Sequence, residues 1–353
     1  MTPLRIALIA SSNFPIAEPF AGGLEAHTAL LARELTARGH DVTVFAAPGS
    51  DVVPGARVEE MPVLAISDVA RGDVSMPPAR FMAEHHAYLD LMLRLARGDE
   101  FDVVHNNSLH HLPVAMARTL PVPLVTTLHT PPTPWLESAV VTAGGRHGVL
   151  TAVSSHTAGA WRHVADGITV IHNGVDVEAR PHGPGGGPLV WAGRIVPEKG
   201  AHLAIRAARA ADRPLLLAGP VSDPGYFAEA VAPLLGGTVR HVGHLPHPAL
   251  TRLVARAAAM LVTPSWEEPY GLVVAEALAC GTPVAGFAVG ALPEIVDDSC
   301  GRLVPAGDTD ALAAVIPAVE QLSRSAARRR AELRWSHRRM VDQYEALYRR
   351  IAA

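Results

Sequence analysis

Hydrophobic residues in the first half of the chain fall in short unbroken runs, separated by longer stretches with helical period. The runs lie at residues 4–10, 42–46, 103–105, 124–127, 150–153 and 168–171. Continuous apolar stretches of this length predict strands covered on both faces, as in a parallel sheet. Between them, residues 24–38, 79–97, 109–118 and 155–164 alternate apolar and polar positions as helices do. Strand and helix in turn predict a doubly wound α/β unit.

The pattern breaks at Pro181-His-Gly-Pro-Gly-Gly-Gly-Pro188, a segment suited to a domain linker. It then restarts. Strands are predicted at 189–192, 215–218, 239–242, 260–262 and 283–286, and helices at 199–210, 227–235, 248–259, 271–279 and 310–321. A polar, arginine-rich helical tail closes the chain. The expected organisation is a first α/β domain over 1–180, a second over 181–335 and a tail over 336–353. Two such domains with a hinge would hold a ligand in the cleft between them.

Composition narrows the function classes. Of 353 residues, 49% are hydrophobic and 18% charged, with thirty glycines and thirty prolines, which suits large helix-covered sheets with many turns. A net charge of -4 lacks the basic excess of a nucleic-acid-binding protein. Nine arginines against three acids from Arg324 onward read as a solvated helix face, with a membrane-surface contact as the second reading. Cys280 and Cys300 show no metal or redox spacing. No apolar run reaches the ~18 residues needed to span a bilayer. The chain runs directly into its first strand without a signal-peptide pattern, so a soluble, cytoplasmic protein is expected.

Lysine occurs once, against twenty-nine arginines. Lys199 stands in Arg194-Ile-Val-Pro-Glu198-Lys199-Gly200, between a predicted strand and a predicted helix. An ammonium is a compact point charge and a guanidinium a wide planar fork. Lysine kept beside Arg194 at such a turn suits a diphosphate site, and a chance survivor on a solvated turn is the plainer alternative.

The second cluster is Glu267-Glu268-Pro-Tyr270-Gly271-Leu272-Val273-Val-Ala-Glu276. Pro269 and Gly271 delay the helix, leaving Glu268 in the preceding loop and Glu276 more than a turn inside. Eight residues at helical rise span ~12 Å, about the reach of a diphosphate from ribose to sugar. The amides of Gly271, Leu272 and Val273 at the helix start form an anion site. One segment thus offers a sugar-hydroxyl acceptor, a phosphate cradle and a ribose-hydroxyl acceptor.

Glu268-Pro-Tyr-Gly-x4-Glu276 resembles the Glu-x7-Glu motif of retaining glycosyltransferases of family four, which have the GT-B fold. The remaining motifs follow in the family's order: Gly22-Gly23-Leu-Glu25, Thr127-Leu-His129, Val153-Ser154, His172-Asn173-Gly174-Val-Asp176, and Gly193-Arg194 with Glu198-Lys199-Gly200. The resemblance covers nearly the whole chain. It implies two Rossmann-like domains facing across a cleft, with a C-terminal helix crossing back to the first. It also implies transfer of a hexosyl group, with retention, from a nucleoside-diphosphate sugar to an acceptor hydroxyl.

By the same resemblance, Arg194 and Lys199 would hold the donor diphosphate and neutralise the leaving group. Glu268 would accept from the donor sugar, Glu276 from the ribose, and the amides from Gly271 to Val273 would meet sugar and phosphate. Gly22 and Gly23 would let main chain approach phosphate or acceptor, and His129 would face the reaction centre. Tyr270 stands where phenylalanine is commoner. UDP is favoured over GDP as the donor nucleotide, with its base read by the loop at 242–245. The acceptor, a small molecule, glycan or lipid, is expected near 14–23, 67–82 and 130–137. The last of these reads as a rigid loop carrying Trp135.

No cofactor and no metal are expected. Asp308-Thr-Asp310 spells a metal-binding acidic motif but precedes an alanine-rich helix, where it reads as an N-cap. His85-His86 and His110-His111 lack a His-x3-His pattern with a carboxylate, and neighbours on a helix would point apart. No Walker or dehydrogenase fingerprint and no nucleophile elbow is present. The alternatives are a nucleotide-sugar epimerase, a phosphorylase with Lys199 as Schiff base, and a non-catalytic sugar-nucleotide binder.

Overall fold

The computed structural model describes residues 2–51 and 53–352. They form two compact units. The first comprises residues 2–51, 53–153, 157–171 and 341–352, and the second 154–156 and 172–340.

The first unit is built on a wholly parallel seven-stranded sheet. Its strands are β1 (Arg5–Ile9), β2 (Asp41–Ala46), β3 (Arg57–Glu60), β4 (Val103–Asn106), β5 (Leu124–Leu128), β6 (Val149–Ala152) and β7 (Thr169–Val170), in the order β3-β2-β1-β4-β5-β6-β7. Ile6, Ala7, Leu8 and Ile9 are fully buried, as expected of a central strand with helices on both faces.

The second sheet is also parallel. It contains β8 (Leu189–Ala192), β9 (Leu215–Ala218), β10 (Val239–His241), β11 (Met260–Val262), β12 (Val284–Phe287) and β13 (Gly301–Val304), ordered β10-β9-β8-β11-β12-β13. Its core packs Trp191, Ile205, Leu217, Leu261 and Phe287.

Two strands escaped the apolar pattern, and both are edge strands. β3 carries a single apolar residue, Val58, and β13 begins Gly-Arg, because an edge position asks for less burial. Residues 130–137, read as a loop, instead lead into a helix at Pro134–Ala143. Thr133 is its N-cap and Pro134 opens its first turn, where the missing N–H costs nothing. The expected helix at 227–235 is a broken series of turns that ends around Pro233.

The glycine–proline run at 181–188 lies inside the second unit. Gly183 N donates to Cys280 O at 3.0 Å and Gly187 N to Arg256 O at 2.9 Å. The chain enters the second unit at His172, after a brief passage at 154–156, and returns to the first at Val341.

The arginine-rich tail forms two helices, Arg324–Arg334 and His337–Ala352. The reading of this run as a solvated face fails for three arginines. Arg324, Arg328 and Arg330 donate to the carbonyls of Gly183, Ala255 and Ala257, of Val177, Arg180 and Ala279, and of Glu294 and Ile295, respectively. A five-donor guanidinium can gather loop carbonyls in this way.

From Val341 onward the last helix belongs to the first unit. There Tyr344 and Tyr348 are fully buried. Tyr344 Oη lies 2.9 Å from Thr127 Oγ1, and Tyr348 Oη lies 2.6 Å from His105 Nδ1. Asp308 caps the Thr309–Glu320 helix by accepting from Ala311 N at 2.8 Å, as its sequence setting predicts. Among the described residues, no helix is long and apolar enough to cross a membrane.

Candidate active site

β8 ends at Ala192, and the chain leaves the sheet through Gly193 and Arg194, whose side chain is exposed. One tight turn, Pro197–Lys199, then meets the helix Ala201–Ala210. Gly200 joins them at φ 65°, a left-handed conformation that glycine adopts without a Cβ clash. The loop after β11 is fastened to this turn. Ser265 N donates to Glu198 O at 2.9 Å, Ser265 Oγ to Pro197 O at 3.2 Å, and Thr263 Oγ1 to Gly200 O at 2.9 Å.

That fastening brings the only lysine to the first glutamate of the motif. Lys199 Nζ donates to Glu268 Oε2 at 2.6 Å, and Trp266 Nε1 donates to the same oxygen at 3.2 Å. The ammonium also lies 5.2 Å from the centre of the Trp266 ring, within cation–π range. Both charged side chains are largely buried, at 24% and 13% exposure, so the pair is far less screened than a surface ion pair.

Gly271, at φ 89° and ψ 56°, caps the helix Leu272–Ala279. Val274 N donates to Gly271 O at 2.9 Å, so the amides of Gly271, Leu272 and Val273 precede the helix's internal bonding. Tyr270 is buried and its hydroxyl donates to Asn173 O at 2.6 Å. Burial, with Glu294 nearby, raises its pKa well above the usual value. The hydroxyl absent from the commoner phenylalanine therefore ties this loop to the His172–Asn173 segment.

Glu276 is ion-paired with Arg180, and His247 Nε2 lies 3.7 Å from the same oxygen. Burial alone would raise the Glu276 pKa; the Arg180 charge and the His247 hydrogen bond outweigh it and hold the carboxylate below its ordinary range. Arg180, Ala192, His247, Val273, Glu276 and Cys280 line a small recess. Neither Arg180 nor His247 stood out in the sequence, since each gains its meaning only from a partner far along the chain. Glu294, equally silent, accepts from His172 Nε2 at 3.1 Å and from the amides of Ser155 and His156 at 2.9 and 2.7 Å. Desolvation opposes ionisation there, but these donors bring its pKa down to about 2.

The remaining residues singled out by sequence lie in the first unit. Gly22 is the N-cap of the helix Gly23–Ala37 and its backbone is extended, at φ −165°, so the conformation itself does not demand glycine. A Cβ there would come within 3.3 Å of Glu25 Oε2.

His129 follows β5 directly, with its Nε2 3.0 Å from Asn107 Oδ1. Its ring meets that of His27 edge-on at 5.1 Å. Burial, then His27 and His105, hold the His129 pKa well below the usual imidazole value. His27 is buried with no hydrogen-bond partner at either ring nitrogen among the described residues, and its pKa falls to about 4 through burial. His105 falls to about 3 for the same reason and bridges Tyr348 and Thr127. At neutral pH this is a cluster of uncharged imidazoles.

The Glycosyltransferase Family 4 profile matches residues 21–179, and the Glycosyl transferases group 1 profile matches residues 185–334. A D-inositol 3-phosphate glycosyltransferase of Mycobacterium avium (strain 104) is 32% identical over 415 aligned positions, covering 99% of this chain and 94% of the relative. The chain belongs to glycosyltransferase family 4.

This family-4 glycosyltransferase is also 32% identical to a glycogen synthase of Mycobacterium tuberculosis, over 93% of its own length and 90% of the relative's. Among solved structures, it is similar to AviGT4, a glycosyltransferase involved in avilamycin A biosynthesis. The TM-score is 0.73 at 26% identity, with 99% of this chain and 98% of that one covered. The fold is GT-B, and the two parallel sheets are its Rossmann-like domains.

Proposed function

We propose that this glycosyltransferase moves a hexosyl group from a nucleoside-diphosphate sugar to an acceptor hydroxyl, with retention of anomeric configuration and without a metal at the diphosphate. The observation that carries the reading is the join between the Pro197–Lys199 turn and the loop before the Leu272–Ala279 helix. It gathers one ammonium, one carboxylate and a helix start in the second unit. Negative charge develops on the departing diphosphate as the C1–O bond weakens. A fixed cation and unbonded helix-start amides placed at that charge supply the dominant kind of catalytic stabilisation.

In this reading Lys199 and Arg194 hold the diphosphate, and Glu268 accepts from the sugar hydroxyls. Glu276, kept ionised by Arg180, accepts from the ribose. The amides of Gly271, Leu272 and Val273 contact sugar and phosphate, and Tyr270 holds their loop in place. Gly22 and Gly23 receive phosphate or acceptor through the main chain. His129 orients and polarises at the reacting centre as a neutral imidazole, while the leaving phosphate takes the acceptor's proton.

The relatives differ in name, a D-inositol 3-phosphate glycosyltransferase in one case and a glycogen synthase in another. The acceptor is therefore proposed only as a hydroxyl-bearing small molecule, glycan or lipid. UDP is the first nucleotide to try.

A thermal-shift screen of nucleoside diphosphates, followed by donor-hydrolysis and transfer assays, tests the reading. Binding of a nucleoside diphosphate lost in Lys199→Ala, with an α-linked product from an α-linked donor by NMR, is the expected result. An inverted product would end the retaining mechanism. Turnover abolished by chelator and restored by magnesium would end the metal-free one.

A further inference from the structure

We propose that His85, His110 and His111 form a binding site for one divalent transition-metal ion of imidazole-preferring chemistry, represented by Zn2+. One potential ligand atom from each residue lies within 4.8 Å of the other two. The sequence setting suggested that His110 and His111 would point apart as helix neighbours. They instead precede the short helix Leu112–Ala115, with ring centres 4.3 Å apart. His85 arrives from the Ala79–Leu95 helix, its ring 6.2 Å from His110 and 6.1 Å from His111.

Metal–imidazole bonds are ~2.0–2.1 Å long, so nitrogens on one tetrahedral ion sit roughly 3.3 Å apart. Closing the cluster to that spacing asks for a movement on the order of 1.5 Å, within the reach of side-chain rotation. His85 and His111 are half-buried and free to make it, while His110 is buried and stacked on Tyr88 at 4.3 Å. Aromatic rings flank the other two: Trp135 stacks on His111 at 5.3 Å and Phe81 on His85 at 6.2 Å.

The donor set selects the ion. The cluster holds imidazoles alone, which suit zinc, copper and nickel and not the oxygen-seeking magnesium or calcium. Three nitrogens leave a fourth position for water. His110 Nδ1 accepts from Leu112 N at 3.2 Å, so the ring proton sits on Nε2, the nitrogen proposed to take the metal. Capture there moves the ring proton to Nδ1 and releases the Leu112 amide, one hydrogen bond given up for three metal–nitrogen bonds. The site belongs to the first unit, whereas Lys199, Glu268 and Glu276 belong to the second. It goes beyond the transfer reaction: a bound ion would tie the Ala79–Leu95 helix to the segment after β4.

The test uses the untagged 353-residue protein, stripped with chelator and titrated with ZnCl2 by calorimetry. Co2+ serves as a spectroscopic substitute. The expected result is one ion per chain, visible Co2+ bands of a four-coordinate nitrogen site, and no competition from Mg2+. His85→Ala and His111→Ala should each weaken binding at least about tenfold with unchanged far-UV circular dichroism, and His86→Ala should not. Failure to take up Zn2+ overturns the proposal. So does uptake that is undiminished in both His85→Ala and His111→Ala, which would put the ion on other histidines.

Discussion

The Lys199 ammonium donates to Glu268 Oε2 at 2.6 Å, so the chain's only lysine is already neutralised by the carboxylate proposed to bind the sugar. A diphosphate reaching Lys199 must share it with Glu268 or draw it away. This makes the charge and shape of the lysine matter together. Lys199→Ala is expected to lower turnover at least tenfold, toward the ~10²–10³-fold cost of losing one preorganised donor, with the fold intact. Lys199→Arg should fail to rescue, because a planar fork does not occupy an ammonium's place. Steady-state kinetics with matched circular dichroism decide this, and near-normal rates in the alanine variant would contradict it.

Glu268→Gln tests the other half of the pair. The amide keeps the shape and can still accept from Trp266 but removes the charge that holds Lys199. Turnover is expected to fall, while donor-diphosphate binding weakens less than in Lys199→Ala or tightens, since the ammonium is released toward phosphate. Calorimetric titration with the nucleoside diphosphate separates the two effects.

Arg180 and Glu276 form a pair whose partners are worth little singly. Arg180→Met leaves the Glu276 carboxylate without its main counter-charge and is expected to cost about 3–5 kcal/mol. Arg180→Met with Glu276→Gln should recover much of that loss. Chemical-denaturation midpoints of the two variants test it, and equal midpoints would remove the pairing argument.

Acid sensitivity should appear in two steps. His27 and His105 have folded pKa values of about 4 and about 3, below the ~6.5 of an unfolded chain. The unfolded state therefore binds more protons, and stability falls as pH drops from about 6.5 toward those values. Glu294, at about 2, gives stability that is complete above the ~4.3 of an unfolded glutamate and is lost as pH falls through its folded value. His27→Leu should flatten the upper step and Glu294→Gln the lower one, read from unfolding midpoints against pH.

Much of the scaffold was legible because buried parallel strands announce themselves. β8, β9 and β11 begin and end where the apolar runs do. The edge strands β3 and β13 were silent because exposure relaxes their composition. The motif segment was legible through its spacing: Lys199, Glu268 and Glu276 belong to one unit, with the first two paired. Arg180, His247, Trp266 and Glu294 were not, since nothing local marks a residue whose partner is fixed by tertiary packing. The same blindness hid the carbonyl-binding arginines 324, 328 and 330 and the meeting of His85 with His110 and His111.

The hydroxyls of Tyr344 and Tyr348 complete a polar cluster begun by His105 and Thr127. During synthesis, then, β4 and β5 emerge from the ribosome long before the side chains that satisfy their buried polar groups exist. Maturation of the first unit has to wait until the helix that carries both tyrosines has been made.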